Sequence, residues 1–297
     1  TAESVWFWPT SRHQAMILVF GKTGQVATEL QRLGGVVALG RADADLSDPK
    51  ACADLIKSRA PSAVINAAAY TAVDRAEEEE ALATLINGDA PTAMGQVCAE
   101  MGIPLVHIST DYVFAGTGET PWRPNDTTTP QNAYGRSKLA GEIGIRNSGA
   151  VHAIVRTSGV VSAFGMNFVK SMLRLSETRE ALNVVADQIC GPTPACDLAS
   201  ACIKMAYQLI QDPAKTGTYH FSSAPDVTWA EFATEIFRQA GKSVSVIPIP
   251  SADYPTSANR PLNSRMNCSE TEQVFGIVRP DWRSGLNKII RDLEAIS

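Results

Sequence analysis

Tyr134 and Lys138, four residues apart, are the pair in this chain best suited to moving a proton. On a helix that spacing puts both side chains on one face. A phenol of pKa about 10 is a poor acid–base group at neutral pH. A neighbouring ammonium favours the phenolate and draws the working pKa toward neutrality. Chance alone supplies roughly 0.2 Tyr-x-x-x-Lys matches in a chain of this composition. The pair is therefore suggestive, and an exposed Tyr beside a surface Lys is the plain alternative. A second candidate, Ser109-Thr110-Asp111-Tyr112, closes an apolar run. A hydroxyl there can hydrogen-bond a substrate carbonyl and the phenol together, although Ser, Thr and Asp also favour turns and helix caps on their own account.

The third candidate binds rather than reacts. In Gly21-Lys22-Thr23-Gly24-Gln25-Val26-Ala27, Gly21 permits a tight turn and Gly24 lets the backbone approach a pyrophosphate. Ala27 is small enough for a helix to pack on a sheet, and the helix N-terminus attracts the anion. Spacing proves little, because roughly 1.5 such Gly-x-x-Gly matches arise by chance. Position gives it weight: the loop follows the first strand and opens the first helix. At the end of the second strand an acid would serve the ribose hydroxyls of NAD, whereas an Arg accommodates a 2′-phosphate. Here Gly40 and Arg41 follow Leu39, with Asp43 and Asp45 later. Arg41 is a candidate phosphate clamp through its planar fork.

Short apolar runs alternate with amphipathic stretches from Met16 onward, which predicts βαβ units and a parallel sheet. Residues 16–20, 36–39, 63–66, 105–110 and 153–157 read as strands buried on both faces. Residues 25–33, 51–59, 76–86 and 92–101 read as helices, and the acidic run Glu77–Glu80 as a solvated helix face. After residue 158 the rhythm degrades. Helices are expected at 167–179, 198–211, 229–240 and 284–295, and residues 247–261 hold four prolines. The expected organisation is a dinucleotide-binding domain over 16–158 and a smaller, mainly substrate-binding lobe over 159–297, interleaved with the first. Residues 1–15 read as a peripheral or non-native extension without the pattern of a signal peptide.

Composition narrows the function. The 297 residues carry 31 acids against 26 bases, a net charge of −5 that offers no footprint for nucleic acid. No apolar run approaches the ~20 residues of a membrane span. Six cysteines lie scattered without a Cys-x-x-Cys pair, as expected for reduced thiols in a cytoplasmic protein. Four histidines share no local spacing, so a histidine-built metal site is not expected.

Together these motifs resemble an extended short-chain dehydrogenase/reductase, and within that superfamily the dTDP-4-dehydrorhamnose reductases. The resemblance rests on the glycine loop, Asn66-Ala67-Ala68-Ala69-Tyr70-Thr71, Ser109 to Phe114, and Tyr134-x-x-x-Lys138. It extends through Leu139-Ala140-Gly141-Glu142, Arg156-Thr157-Ser158, Asp187-Gln188 with Gly191-Pro192-Thr193, and Arg260-Pro261-x-Asn263-Ser264-Arg265. It implies a Rossmann-type doubly wound α/β sheet and reduction of the C4 ketone of a dTDP-4-dehydro-6-deoxy sugar by NADPH, with NADH as a weaker substitute. It also implies Thr110, Tyr134 and Lys138 as the catalytic set. Gly21, Gly24, Gln25, Val26, Arg41, Asp45, Leu46, Ala69, Tyr70 and Thr71 would hold the cofactor with Tyr134 and Lys138. Thr110, Asp111, Arg260 and Arg265 would hold the substrate. Some relatives dimerise around Mg²⁺, and Glu29 and Asp197 are carboxylates in suitable regions, though two lone acids are poor evidence for a metal.

Two departures stand out. The family often places an aromatic after Arg-Thr-Ser, where this chain has Gly159, so that sugar contact is lost or supplied elsewhere. An acid commonly ends the second strand, where this chain has Gly40-Arg41. Two other readings share the superfamily. A sugar-nucleotide dehydratase or epimerase resembles this chain, but a dehydratase carries Asp-Glu after the strand-four Thr, and here Asp111 is followed by Tyr112. The regulatory subunit of methionine adenosyltransferase is a non-catalytic relative, against which the intact Thr110, Tyr134 and Lys138 set argues.

Overall fold

The computed structural model describes residues 16–296, so the expected 1–15 extension lies outside the described residues. Strands β1 (Ile17–Phe20), β2 (Val36–Leu39), β3 (Ala63–Asn66), β4 (Leu105–Thr110), β5 (His152–Thr157) and β6 (Gly217–His220) form one sheet. Its order is β6-β5-β4-β3-β1-β2, parallel throughout. Chain order reverses direction between β1 and β3, the arrangement that opens a crevice at the carboxyl ends of the strands. The apolar runs do what a parallel sheet needs: β1 and β3 are buried along their whole length, with helices on both faces.

One face is covered by α2 (Pro49–Arg59), α3 (Ala90–Met101) and α4 (Ala133–Asn147), where Phe20, Ile56, Met94 and Ile145 pack together. The other is covered by α1 (Gln25–Leu33) and, beyond α5 (Phe168–Ser176), by α6 (Ala195–Gln211), where Leu30, Leu198 and Met205 meet Val19 and Val155. A separate core in the second half joins α5, α7 (Trp229–Gln239) and α8 (Trp282–Ile296) around Phe232, Phe237 and Trp282. Strand β6 and helix α6 come from the second half of the chain yet complete the first sheet, so residue 158 is no spatial boundary. The strand Gly-Thr-Tyr-His has no apolar run to betray it; its register is supplied by β5, with Gly217 opposite Ala153 and His220 opposite Arg156. No helix among the described residues is long and apolar enough to cross a membrane.

The expected helix over 76–86 is not continuous. It divides into Val73–Ala76 and Glu80–Thr84, then widens into a π-turn at Leu85–Asp89 that runs into α3. Side chains explain the break, and they also overturn the reading of Glu77–Glu80 as a merely solvated face. Glu77 accepts from the Ala133 amide at 2.8 Å, Glu79 takes the Tyr70 hydroxyl at 2.7 Å and Arg75, and Glu80 forks with Arg136. The π-turn turns Asn87 inward. Its carboxamide closes a two-way bond with the Tyr70 backbone (2.8 and 3.0 Å) and donates to Ser137 on α4. Helix α4 approaches because its inner face is glycine: a Cβ on Gly135 would stand 2.2 Å from the Tyr112 carbonyl oxygen, and one on Gly141 2.2 Å from that of Asn87.

A buried ion pair locks this packing. Arg156 on β5 donates from Nε and Nη2 to both oxygens of Glu142 on α4, at 2.9 and 2.6 Å. Ser109 donates to the same carboxylate at 2.6 Å, Arg146 joins at 3.1 Å, and Arg156 also reaches the Pro124 carbonyl. Burial pushes the Glu142 carboxyl up, but its bonds to Arg156 and Ser109 outweigh this and hold it below the usual Glu range. A carboxyl with a depressed folded pKa contributes stability above its unfolded pKa and loses it as pH falls. Glu142→Gln leaves a buried guanidinium short of its counter-charge and should cost about 3 kcal/mol at neutral pH. Urea denaturation from neutral to acid pH checks it: the difference between variant and wild type should shrink below the ordinary Glu range.

Candidate active site

Strand β4 ends with Thr110 at the carboxyl edge of the sheet, and a 3₁₀ turn, Asp111–Val113, carries the chain away. The Thr110 hydroxyl accepts from the Tyr112 amide at 3.2 Å and donates to Asp111 at 3.1 Å, and it stands beside the Tyr134 phenol, whose ionised form it favours. Tyr134 and Lys138 lie on one face of α4, whose start is set by Asn132 capping the Gly135 amide at 2.7 Å. Lys138 is only 2% exposed, unlike a surface lysine. Its Nζ lies 2.7 Å from the Ile108 carbonyl oxygen and 3.2 Å from His107 Nε2, while His107 Nδ1 lies 3.1 Å from Asn66 Nδ2. Burial lowers the Lys138 pKa to about 8 and pushes the Tyr134 phenol well above its usual range. The three candidate residues thus meet in a desolvated cluster, whose charges are set mainly by exclusion of water.

Asp111 is equally buried. Loss of water raises its carboxyl to about 6, against hydrogen bonds from Ser264 at 2.5 Å and from Thr110. A cavity of about 50 Å³ opens beside it, walled by Tyr112, Gly159, Gln188, Trp229 and Ser264 among others. Gly159 has φ +56°, and a Cβ there would meet the Cys190 sulfur at 3.2 Å and the Trp229 ring at 3.5 Å. Trp229, at the start of α7, supplies an aromatic wall to this cavity. Its indole is braced on Phe168, ring centres 4.6 Å apart.

An adjoining cleft of about 210 Å³ is lined by Phe114, Asn132 and Arg260. Arg260 is anchored there by Asp74 at 2.5 Å. Arg265 lines neither cavity; it bonds Asn263 Oδ1 at 3.0 Å.

The first βα turn fits a dinucleotide pyrophosphate. Gly21 has φ +113°, and a Cβ there would press at 3.3 Å on Ala27 and on the Ala67–Ala68 backbone. Nothing lies within 4 Å of a Cβ on Gly24, and no side chain caps α1. Gln25 and Val26 follow in the first turn, leaving an open cradle of amides. At the second strand end, Arg41 is exposed and pairs with Asp45 at 3.1 Å, while Asp45 accepts from Ser47. Leu46 packs into the core with Phe20 and Leu39. Ala69, Tyr70 and Thr71 follow β3 in the same crevice, held by Asn87.

Glu29 and Asp197 stand near the same basic side chain. Glu29 pairs with Arg32, Lys288 acts on both acids, and no group of three metal-ligating side chains exists among the described residues. Asn87, His107 and Ser264 were not singled out as candidates. Asn87 lies in the π-turn, His107 in strand β4 and Ser264 inside a quoted motif, none with spacing that marks it.

The family model for the RmlD substrate binding domain matches residues 15–295. A dTDP-4-dehydrorhamnose reductase of Escherichia coli K12 is 40% identical over 292 residues, covering 93% of this chain and 97% of its own. The chain belongs to the dTDP-4-dehydrorhamnose reductase family. A dTDP-4-dehydrorhamnose reductase from Sinorhizobium fredii is 39% identical, covering 92% of this chain and 96% of its own. Among solved structures, a family member from Clostridium acetobutylicum superposes with a TM-score of 0.87 at 35% identity, over 94% of this chain and 99% of its own. One from Bacillus anthracis, solved in complex with NADP, gives 0.87 at 33% identity over the same shares.

For this reductase-family site the bond from Ser264 to Asp111 has a measurable consequence. It favours the carboxylate, so Ser264→Ala should raise the Asp111 midpoint from about 6. A hydrogen bond worth about 1 kcal/mol moves it by roughly 0.7 of a pH unit. Carboxyl ¹³C shifts followed through a pH titration would show a lower or unmoved midpoint if the bond were unimportant.

Proposed function

We propose that this protein reduces the C4 ketone of dTDP-4-dehydro-β-L-rhamnose to dTDP-β-L-rhamnose with NADPH as reductant. The observation that carries the reading is the Tyr134 phenol, beside Thr110 and one helical turn from a buried lysine. Reduced nicotinamide, when bound, supplies the hydride. Tyr134 supplies the proton at its phenol oxygen to the alkoxide that develops as the ketone is reduced. Thr110 orients the carbonyl oxygen beside that phenol, where charge grows and fixed donors stabilise most. Lys138 positions Tyr134 and holds the nicotinamide ribose. Gly21, Gly24, Gln25 and Val26 cradle the pyrophosphate, and Asp45, Leu46, Ala69, Tyr70 and Thr71 flank the adenosine half. Asp111 and Trp229 line the sugar cavity, and Arg260 meets the sugar-nucleotide phosphates.

The relatives' names and the NADP complex of the Bacillus anthracis protein support the substrate and the cofactor. A panel assay tests the proposal: NADPH consumption with several 4-keto-6-deoxy sugar nucleotides. One NADPH should disappear per sugar, and dTDP-glucose should not be dehydrated, because Tyr112 stands where elimination needs a second carboxyl. Turnover of dTDP-glucose without added reductant would overturn the reading and favour a dehydratase.

Two variants probe the roles. Tyr134→Phe should lower kcat by about 10²–10⁴-fold with little change in NADPH affinity, and retention of half the activity would remove the phenol from the mechanism. Arg41 is exposed, and its partner Asp45 is also tied to Ser47, so its fork is free to turn to a 2′-phosphate. Arg41→Asp should reduce kcat/KM for NADPH and spare NADH. Equal use of both cofactors, unaltered by the change, would make Arg41 a surface residue.

A further inference from the structure

The cavity beside Asp111 has one hydroxyl to which the fold gives no partner. Asp111 accepts from Ser264 and Thr110, and Gln188 donates to the Ser251 hydroxyl at 2.9 Å. Ser158 lines the same cavity and is 4% exposed, and its Oγ bonds nothing among the described residues. Five other buried side-chain atoms share that condition, on Gln25, Thr157, His220, Ser223 and Gln239. None of those five residues walls this cavity or the adjoining cleft at Arg260. A buried hydroxyl without a partner is destabilising, and folds keep few of them. On the wall of a ligand cavity the missing bond has an evident source, which is a polar group of the ligand.

The place of Ser158 at the sheet edge says which group. Strand β5 runs beside β4 with Thr157 opposite Thr110, so Ser158 stands one residue beyond the neighbour of Thr110. Adjacent strands are about 4.8 Å apart. Two hydroxyls so placed can address neighbouring oxygens of one sugar ring, and Thr110 is the one assigned to the ketone. In a 4-keto-6-deoxy sugar, C4 has two ring neighbours: C3 carries a hydroxyl and C5 carries the methyl. The oxygen next to the ketone is therefore the C3 hydroxyl. Ile189, Trp229 and Pro261 give the cavity apolar surface as well, which suits the methyl and the ring carbons. At about 50 Å³ it holds a few water-sized groups, the size of one edge of a pyranose.

We propose that Ser158 is a specificity-determining residue whose hydroxyl bonds the C3 hydroxyl of the sugar and so turns the C4 ketone toward Thr110 and Tyr134. The inference rests on the reductase reading, which supplies the ketone and its position. Both partners are hydroxyls, so either can donate. A sugar without the C3 hydroxyl leaves Ser158 unpaired in the complex, and the site discriminates against it for that reason.

Matched sugars test the assignment. The full-length protein with NADPH is given dTDP-4-dehydro-β-L-rhamnose or its 3-deoxy analogue, as wild type and as Ser158→Ala. The variant should lose about 5–10-fold in kcat/KM on the 3-hydroxy sugar, mainly through KM, and nothing on the 3-deoxy sugar. Equal losses on both sugars, or no loss on either, would overturn the proposal. Binding of dTDP-β-L-rhamnose and its 3-deoxy counterpart in the presence of NADP⁺ gives the same contrast without turnover. The urea midpoint of Ser158→Ala should stay at the wild-type value, because the protein loses no internal bond. A serine with a purely structural role would instead lower that midpoint and weaken both sugars alike. Should the alanine variant fail to fold, Ser158→Cys keeps the shape with a much weaker donor and should show the same selective loss. Failure of the reductase reading would show separately, as absence of NADPH consumption by the wild type with every sugar of the panel.

Discussion

The salt bridge between Glu142 and Arg156 is the constraint on which this site depends. It ties β4, β5, α4 and the loop after Val113 together by charged hydrogen bonds. Buried pairs add little net stability over apolar packing, but they tolerate no misregistration, because half of a broken pair is a bare charge in a dry interior. Specificity of register is what α4 needs. Its glycine-rich inner face would slide against the Asp111–Val113 turn if packing alone held it, and a slide of one residue would carry Tyr134 away from Thr110. Arg156 also lies over the Phe114 ring, 4.9 Å from its centre, so the same guanidinium braces the wall of the substrate cleft.

Dryness then sets the chemistry. Three titratable side chains on adjoining elements, Asp111, Tyr134 and Lys138, are all displaced toward their neutral forms, and in each the main cause is loss of water. Elementary reasoning from the Tyr-x-x-x-Lys spacing expects a lysine cation drawing a phenol toward its anion. The buried geometry points the other way for the resting site, with the proton on oxygen. A reductase must begin with the proton on the acid it will use.

Much of this was legible in the residues. The strands of the first half were visible as apolar runs because a sheet covered on both faces leaves no polar alternation to confuse them. The glycine loop and the Tyr134–Lys138 spacing were legible because backbone approach and helical periodicity impose residue types at fixed distances. What escaped notice depended on partners far along the chain. Strand β6 is recognisable only beside β5, and the π-turn is explained by the Tyr70 backbone that Asn87 must reach. Ser264 gains its meaning from Asp111, 153 residues away. Arg260 and Arg265 look equivalent in sequence, and only the partners met in the fold separate the one that lines the cleft from the one that does not.

The departure at position 159 shows how such a site can change parts without losing its shape. Gly159, in a left-handed backbone, adds no side chain to the cavity wall, and the Trp229 ring stands 3.5 Å from where its Cβ would be. The aromatic wall comes from α7, whose capping box, Thr228 with Glu231, fixes the helix start and therefore the indole. An aromatic wall presented from a capped helix and braced on Phe168 is held by the second core rather than by the sheet. The sugar would then be gripped between two bodies: Thr110, Asp111 and Tyr134 on the sheet side, and Trp229 on the lobe side. Changes in lobe packing would act on substrate binding, while the proton-transfer geometry, held by the Glu142–Arg156 pair, would be left in place.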